Sequence, residues 1–134
     1  MKQRPTLILA GISGAMCVVL GAVGAHLLKD KIPSENLQTL EIAVKYQFYH
    51  TLALILIVTL SEKAQLKFLL YSSTFFITGI ILFSFSLYFL AFRPLIGIGN
   101  EEIKWVGAIT PFGGVSFILG WIALSASGIN FEKK

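Results

Sequence analysis

The stretch TLILAGISGAMCVVLGAVGAHLL, Thr6 to Leu28, decides what kind of protein this is. Its 23 residues carry no formal charge, and His26 is its only strongly polar side chain. As a helix rising ~1.5 Å per residue it reaches ~35 Å, enough to cross a hydrocarbon core of ~30 Å. A basic start, Met-Lys-Gln-Arg-Pro, and small residues at Val23 and Ala25 mimic a secretory cleavage signal. The run is longer than a signal core of ~7 to 15 residues, and the chain beyond it is just as apolar, so we expect it to remain as a first membrane span. Ala10, Gly14, Cys17, Gly21 and Ala25 recur at steps of three and four, which places small residues along one helical face. In lipid, where apolar side chains gain nothing by leaving acyl tails, close approach through such a face is a main source of helix association.

The rest of the composition agrees. Only 13% of the 134 residues are charged and 55% are hydrophobic, before counting 12 glycines; a soluble domain would carry about a quarter charged residues. The excess apolar surface must face lipid. A formal charge of +4 raises the question of nucleic acid, but Lys and Arg are scattered in ones and twos beside apolar runs, as helix-end anchors are, and form no basic patch. No nucleic-acid partner is expected. The single cysteine, Cys17, lies inside the first run, so no intramolecular disulfide is possible and a packing role is expected.

Lys29 to Lys45 is the only long polar stretch. Pro33 and Ser34 open an expected amphipathic helix over 34–45, with Ser34 as N-cap, Glu35 in the first turn and Leu37, Leu40, Val44 and Phe48 on one face. Glu41 and Lys45 are spaced to pair. This interfacial helix is expected to run on into a second span at about 46–60, followed by a short link and a third span at about 68–92, ended by Arg93-Pro94. The fourth, about 105–127, contains Pro111. The expectation is a helix kinked there; the alternative is a helix that begins with Thr110 as cap and Pro111 as first residue. Gly113, Ser116, Gly120, Ala123 and Ser127 give this span its own small-residue face. Gly14, Gly21, Ala25, Gly113, Ser116 and Gly120 are therefore the expected packing positions. The fold expected is all-α: a single membrane domain, a four-helix bundle with an amphipathic helix between spans one and two.

Four spans put both termini on one side. That side carries Lys2, Arg4, Lys63, Lys67, Lys133 and Lys134, and the other Lys29, Lys31, Lys45, Arg93 and Lys104. The small excess places the termini in the cytoplasm under the positive-inside rule. Since span one ends where span two begins, His26 and His50 are expected at similar depth near one membrane face. Tyr46, Gln47 and His50 share one helical face there, and Trp105 and Thr110 belong to the same end. These six residues are the candidate ligand-binding set. The plainer account makes Tyr and Trp an interfacial belt and pairs His with a backbone carbonyl or Gln.

Inventory excludes several activities. There is no Gly-rich phosphate loop, no Gly-x-Ser-x-Gly, no His-Glu-x-x-His and no pair of carboxylates within a span, so no catalytic residue is assigned. A metal site is not expected, because Glu41 lies about two and a half turns from His50. A proton-coupled exporter would call for an acid inside a span, and none of the seven acids falls in one of the spans as drawn. In-span hydroxyls are expected to bond to backbone carbonyls or across helix interfaces.

The segments Leu20-Gly-Ala-Val-Gly-Ala-His-Leu-Leu-Lys29, Ala43-Val-Lys-Tyr-Gln-Phe-Tyr-His50 and Gly107-Ala-Ile-Thr-Pro-Phe-Gly-Gly114 resemble the signature segments of the YgdD-like family, domain of unknown function 423. That family comprises small bacterial inner-membrane proteins related to eukaryotic transmembrane protein 256. The resemblance marks Gly21, Gly24, Ala25, His26, Tyr46, Gln47, His50, Thr110, Pro111, Gly113 and Gly114, and implies a four-helix membrane protein with no assigned substrate or cofactor. The function expected is that of a non-enzymatic membrane partner or assembly subunit, in contact with the bilayer and with a membrane protein or further copies of itself. The alternative is a small permeation or ligand-binding protein with a polar pocket around His26, Gln47 and His50.

Overall fold

A computed structural model describes residues 3–129. Lys2, Lys133 and Lys134, three of the expected charged anchors, lie outside them. The described chain folds into helices joined by short links, with no strand among these residues. Helix α1 (Gln3–Ala22) runs on as a π turn (Val23–Leu28); α2 is Ser34–Leu60; α3 (Leu66–Gly79) passes through a π segment (Ile80–Phe85) into α4 (Ser86–Phe92); α5 is Lys104–Ser127. Four continuous helical stretches are long and apolar enough to cross a membrane: Arg4–Leu28, Ser34–Leu60, Leu66–Ile96 and Glu101–Ser127.

The amphipathic segment and the second span form one helix. Its 27 residues reach ~40 Å at ~1.5 Å per residue, more than a hydrocarbon core needs, so the polar first turns extend beyond it. Glu41 and Lys45 therefore belong to a spanning helix, although both are exposed. They do not pair. The ion pair found among the described residues is Lys104 with Glu101, at 2.5 Å; an exposed pair of long side chains gains too little to be held in one geometry. Ser34 is not the N-cap either. Pro33 holds that position in extended conformation, its carbonyl accepting the Leu37 N–H at 3.1 Å, and no side chain caps the helix. At the same end of the bundle, Arg93–Ile96 form a 3-10 turn closed by Gly97 at φ 69°, a left-handed position that glycine takes without strain.

Helix α5 runs through Pro111, beginning seven residues before it, so Thr110 does not start the helix. Its small residues Gly113, Ser116, Gly120, Ala123 and Ser127 are all buried. They receive the rings of the facing helix: a Cβ on Gly120 would collide with the Phe76 ring, and one on Gly113 with the backbone of Phe83. In return Phe117 of α5 lies on Gly79 of α3. Two hydroxyls cross the same seam, Ser72 Oγ donating to the Gly120 carbonyl and Ser116 Oγ to that of Phe75, each at 2.8 Å. With glycine supplying the approach and serine the bonds, this seam is held by packing and interhelical hydrogen bonds, the two forces available inside lipid.

The α1–α2 seam follows a seven-residue step. Ala10, Cys17 and Gly24 are buried against α2, and a Cβ on Gly24 would lie 2.9 Å from Leu40 Cδ2. Ala25, the expected packing residue, is exposed, and Gly21 is exposed near Val44. The physical reason is the period. Two helices that stay in contact over many turns meet every ~3.5 residues, so the stripe drawn through 21 and 25 drifts off the seam and 24 takes the buried place.

Topology is tied at both ends. The Gln65 N–H donates to the Ser127 carbonyl at 3.1 Å, fixing the α2–α3 link beside the end of α5, while Asn36 Nδ2 donates to the Leu90 carbonyl at 3.0 Å at the opposite face. The start of α1 lies with the first group, since α1 and α2 are antiparallel.

Candidate functional site

Two polar centres sit inside the bundle, both supplied by α2. The first is Gln47, almost wholly buried. Its Nε2 donates to Ser13 Oγ at 3.0 Å and to the Ser13 carbonyl at 3.3 Å, and its Oε1 accepts from the Tyr88 hydroxyl at 2.5 Å. Ser13 Oγ is also 2.6 Å from Thr51 Oγ1. Every donor and acceptor of the amide is thereby occupied, and α1, α2 and α4 are joined at one point. A complete network of this kind is stable where water is absent; a partly satisfied one would not be.

The second centre is His50, one turn further on and 4% exposed. Its Nδ1 lies 2.6 Å from the Tyr46 carbonyl, and Trp121 Nε1 donates to its Nε2 at 3.1 Å. A carbonyl only accepts and an indole N–H only donates, so the proton is on Nδ1 and the imidazole is neutral. Phe117 stacks on the ring with centroids 3.5 Å apart and planes 5° from parallel. Around this pair lies a crevice of about 660 Å³, bounded by Tyr46, Tyr49, Phe83, Phe117, Ile118 and Trp121.

The expected pocket of His26, Gln47 and His50 does not form. His26 is exposed on the π turn, Gln47 faces α1 and α4, and His50 faces α5. Three residues along a helix leave about 60° between two side chains, which is enough in a four-helix bundle to give them different neighbours. Depth separates the histidines as well. Gly24, two residues before His26, abuts Leu40, ten residues before His50, so His26 lies ~15 Å nearer the membrane surface. Measured from the other end, His50 is ten residues before Leu60, ~15 Å, half the thickness of a hydrocarbon core. His50 is therefore near the middle of the bilayer.

Of the other candidates, Tyr46 stands in the crevice, its ring centroid 4.8 Å from that of Phe83. Thr110 bonds Ser86 across the α4–α5 seam at 2.7 Å. Trp105 is 64% exposed on the first turn of α5, in a separate shallow groove with Phe89 and Ile109. Among the described residues no group of three or more His, Cys, Asp or Glu comes together as a metal would require. Ser13, Thr51, Tyr88, Phe117 and Trp121 are not among the six candidates. One signal was present for Trp121: tryptophan favours membrane interfaces, and this one stands inside a span.

These features define a helical multi-pass membrane protein whose polar groups are largely turned inward. The sequence pattern of the family described as a protein of unknown function (DUF423) matches residues 20–114, and the chain belongs to that family. It is 36% identical to the UPF0382 inner membrane protein YgdD of Escherichia coli K12 over 135 residues, covering 100% of this chain and 96% of the relative. It is 40% identical to a UPF0382 membrane protein of Haemophilus influenzae over 125 residues, 93% of each chain. The UPF0382 membrane protein YwdK of Bacillus subtilis is 36% identical over 126 residues, 93% of this chain and 96% of the relative. No solved structure matches. The protein is thus a multi-pass protein of the bacterial cell membrane, embedded in the lipid bilayer.

Proposed function

We propose that this protein is a non-enzymatic subunit, a membrane partner for another protein or for further copies of itself. The observation that supports this reading is where its in-span polar groups go. Gln47, Ser13, Thr51 and Tyr88 bond one another; Ser72 and Ser116 bond carbonyls of the facing helix; His50 has both ring nitrogens occupied. Catalysis in a span needs an acid, base or nucleophile held ready for a substrate. Here the polar groups serve helix association. Ser84 is the one buried side chain without a hydrogen-bond partner among the described residues.

The outward faces carry large apolar side chains, among them Ile12, Val18 and Val19 on α1 and Ile118 and Ile122 on α5. Such surfaces suit lipid and partner helices equally. Both termini are assigned to the cytoplasm, on the small Lys and Arg excess of that side. Affinity purification of the chain from native membranes, followed by mass spectrometry, tests the reading: a membrane protein or a second copy recovered in fixed ratio supports it. A lone chain that turns over a lipid or small molecule would overturn it.

A further inference from the structure

We propose that the crevice between the start of α2 and the turn after α4 binds the headgroup of a phosphatidylethanolamine molecule, a phosphate and a primary ammonium on one short arm. This goes beyond the subunit reading and does not depend on it.

Depth narrows the occupant first. The crevice, of about 220 Å³, is lined by Glu35, Asn36, Thr39, Arg93 and Asn100 together with two leucines. With Leu60, the end of α2, at one edge of the hydrocarbon core, Thr39 stands ~31 Å and Glu35 ~37 Å away along the helix. The core is ~30 Å thick, and the bilayer ~40–45 Å with its headgroup layers. The crevice therefore lies in the headgroup layer opposite Leu60, where phospholipids present their phosphates. Trp105, exposed at this end of α5, is the kind of residue that marks such a level.

The two walls are held together. Asn36 Nδ2 donates to the Leu90 carbonyl at 3.0 Å, tying the first turn of α2 to the end of α4, so Glu35 and Arg93 reach one crevice from two helices. The Thr39 hydroxyl is spent on the Glu35 carbonyl at 2.9 Å. Charge then decides which headgroup fits. Among the described residues no ion pair joins Arg93 to Glu35, although both line the crevice, and Lys104 is committed to Glu101. Arg93 is partly buried, and its guanidinium has no hydrogen-bond partner among those residues. A guanidinium suits phosphate, and an ionised carboxylate, which only accepts, suits a cation with N–H groups. A ligand of a single charge is drawn by one of these side chains and repelled by the other. Phosphoethanolamine satisfies both. A choline headgroup has no N–H to give Glu35, and phosphatidylglycerol has no cation at all.

The test titrates the full chain in detergent with dioleoyl phosphatidylethanolamine, phosphatidylcholine or phosphatidylglycerol, read by native mass spectrometry. The expected result is a saturable phosphatidylethanolamine adduct whose apparent Kd is about fivefold or more below those of the other two lipids, and is raised about tenfold by Arg93→Gln. Glu35→Gln should weaken phosphatidylethanolamine and tighten phosphatidylglycerol, opposite shifts that a damaged fold does not give. Neither side chain belongs to the core, so thermal unfolding of both variants should match the parent. Equal affinity for the three lipids, or a preference that survives both substitutions, would overturn the proposal. So would displacement of the lipid by millimolar glycerophosphoethanolamine, the same headgroup without tails, since the site would then belong to a soluble phosphate ester.

Discussion

Gln47 and His50 stand one turn apart on the same helix and both are buried, but Gln47 borders a crevice of about 180 Å³ and His50 one of about 660 Å³. Gln47 is enclosed by α1 and α4 and gives all of its hydrogen bonds to them. His50 is held just as firmly, but by Trp121 and Phe117, whose outer surfaces border an opening. The difference teaches that burial of a polar group in a membrane bundle is decided by which neighbour it meets. A fully satisfied amide among three helices is a clamp. A fully satisfied imidazole among aromatic rings makes a wall.

The comparison can be broken most forcefully through the backbone behind that wall. Gly113→Ala drives a Cβ into the backbone of Phe83 and should cost about 2–3 kcal/mol by overpacking, read as a lower midpoint of thermal unfolding in detergent. Next comes the clamp. Gln47→Leu leaves the Tyr88 hydroxyl without its acceptor and Ser13 without its amide donor; with several interhelical bonds lost at ~0.6 kcal/mol each or somewhat more, the expected loss is about 2 kcal/mol. Tyr88→Phe in the Gln47→Leu background should then add less than it does alone, because the shared bond is already gone. His50→Leu should cost about 1 kcal/mol, through the Trp121 bond and the Phe117 stack. A larger cost for His50 than for Gln47 in the same unfolding measurement would reverse the assignment of clamp and wall. Smallest of all is Gly114→Ala, one residue from Gly113 but facing the crevice, with an expected change within about 0.5 kcal/mol.

Much of the fold was legible in the sequence because lipid imposes simple rules. Apolar runs pointed to four helices, although the second, drawn over 46–60, runs from Ser34 to Leu60, and the small residues of α5 were readable from periodicity, Gly113, Ser116 and Gly120 all lying in the seam. On α1 the same reasoning slipped at Ala25, since a stripe drawn over five positions does not distinguish a period near 3.75 from the ~3.5 that a continuous contact requires. The candidate site was less legible. Periodicity placed Tyr46, Gln47 and His50 on one face, but it carried no information about which helix stood opposite each of them. Depth was misjudged for a different reason. Counting the span from Tyr46 put His50 at the membrane surface, whereas the fixed end of the helix at Leu60 puts it near the centre. Trp121 went unread because tryptophan at a span is ordinarily an interfacial anchor, and only the structure brings its N–H to His50.

The most direct test of a polar wall at mid-bilayer is depth-dependent quenching of Trp121 in the Trp105→Phe variant, reconstituted in lipids brominated at successive acyl positions. Quenching strongest for bromines far down the chains and negligible for aqueous iodide is the expected result. Strongest quenching by shallow bromines or by iodide would contradict the account.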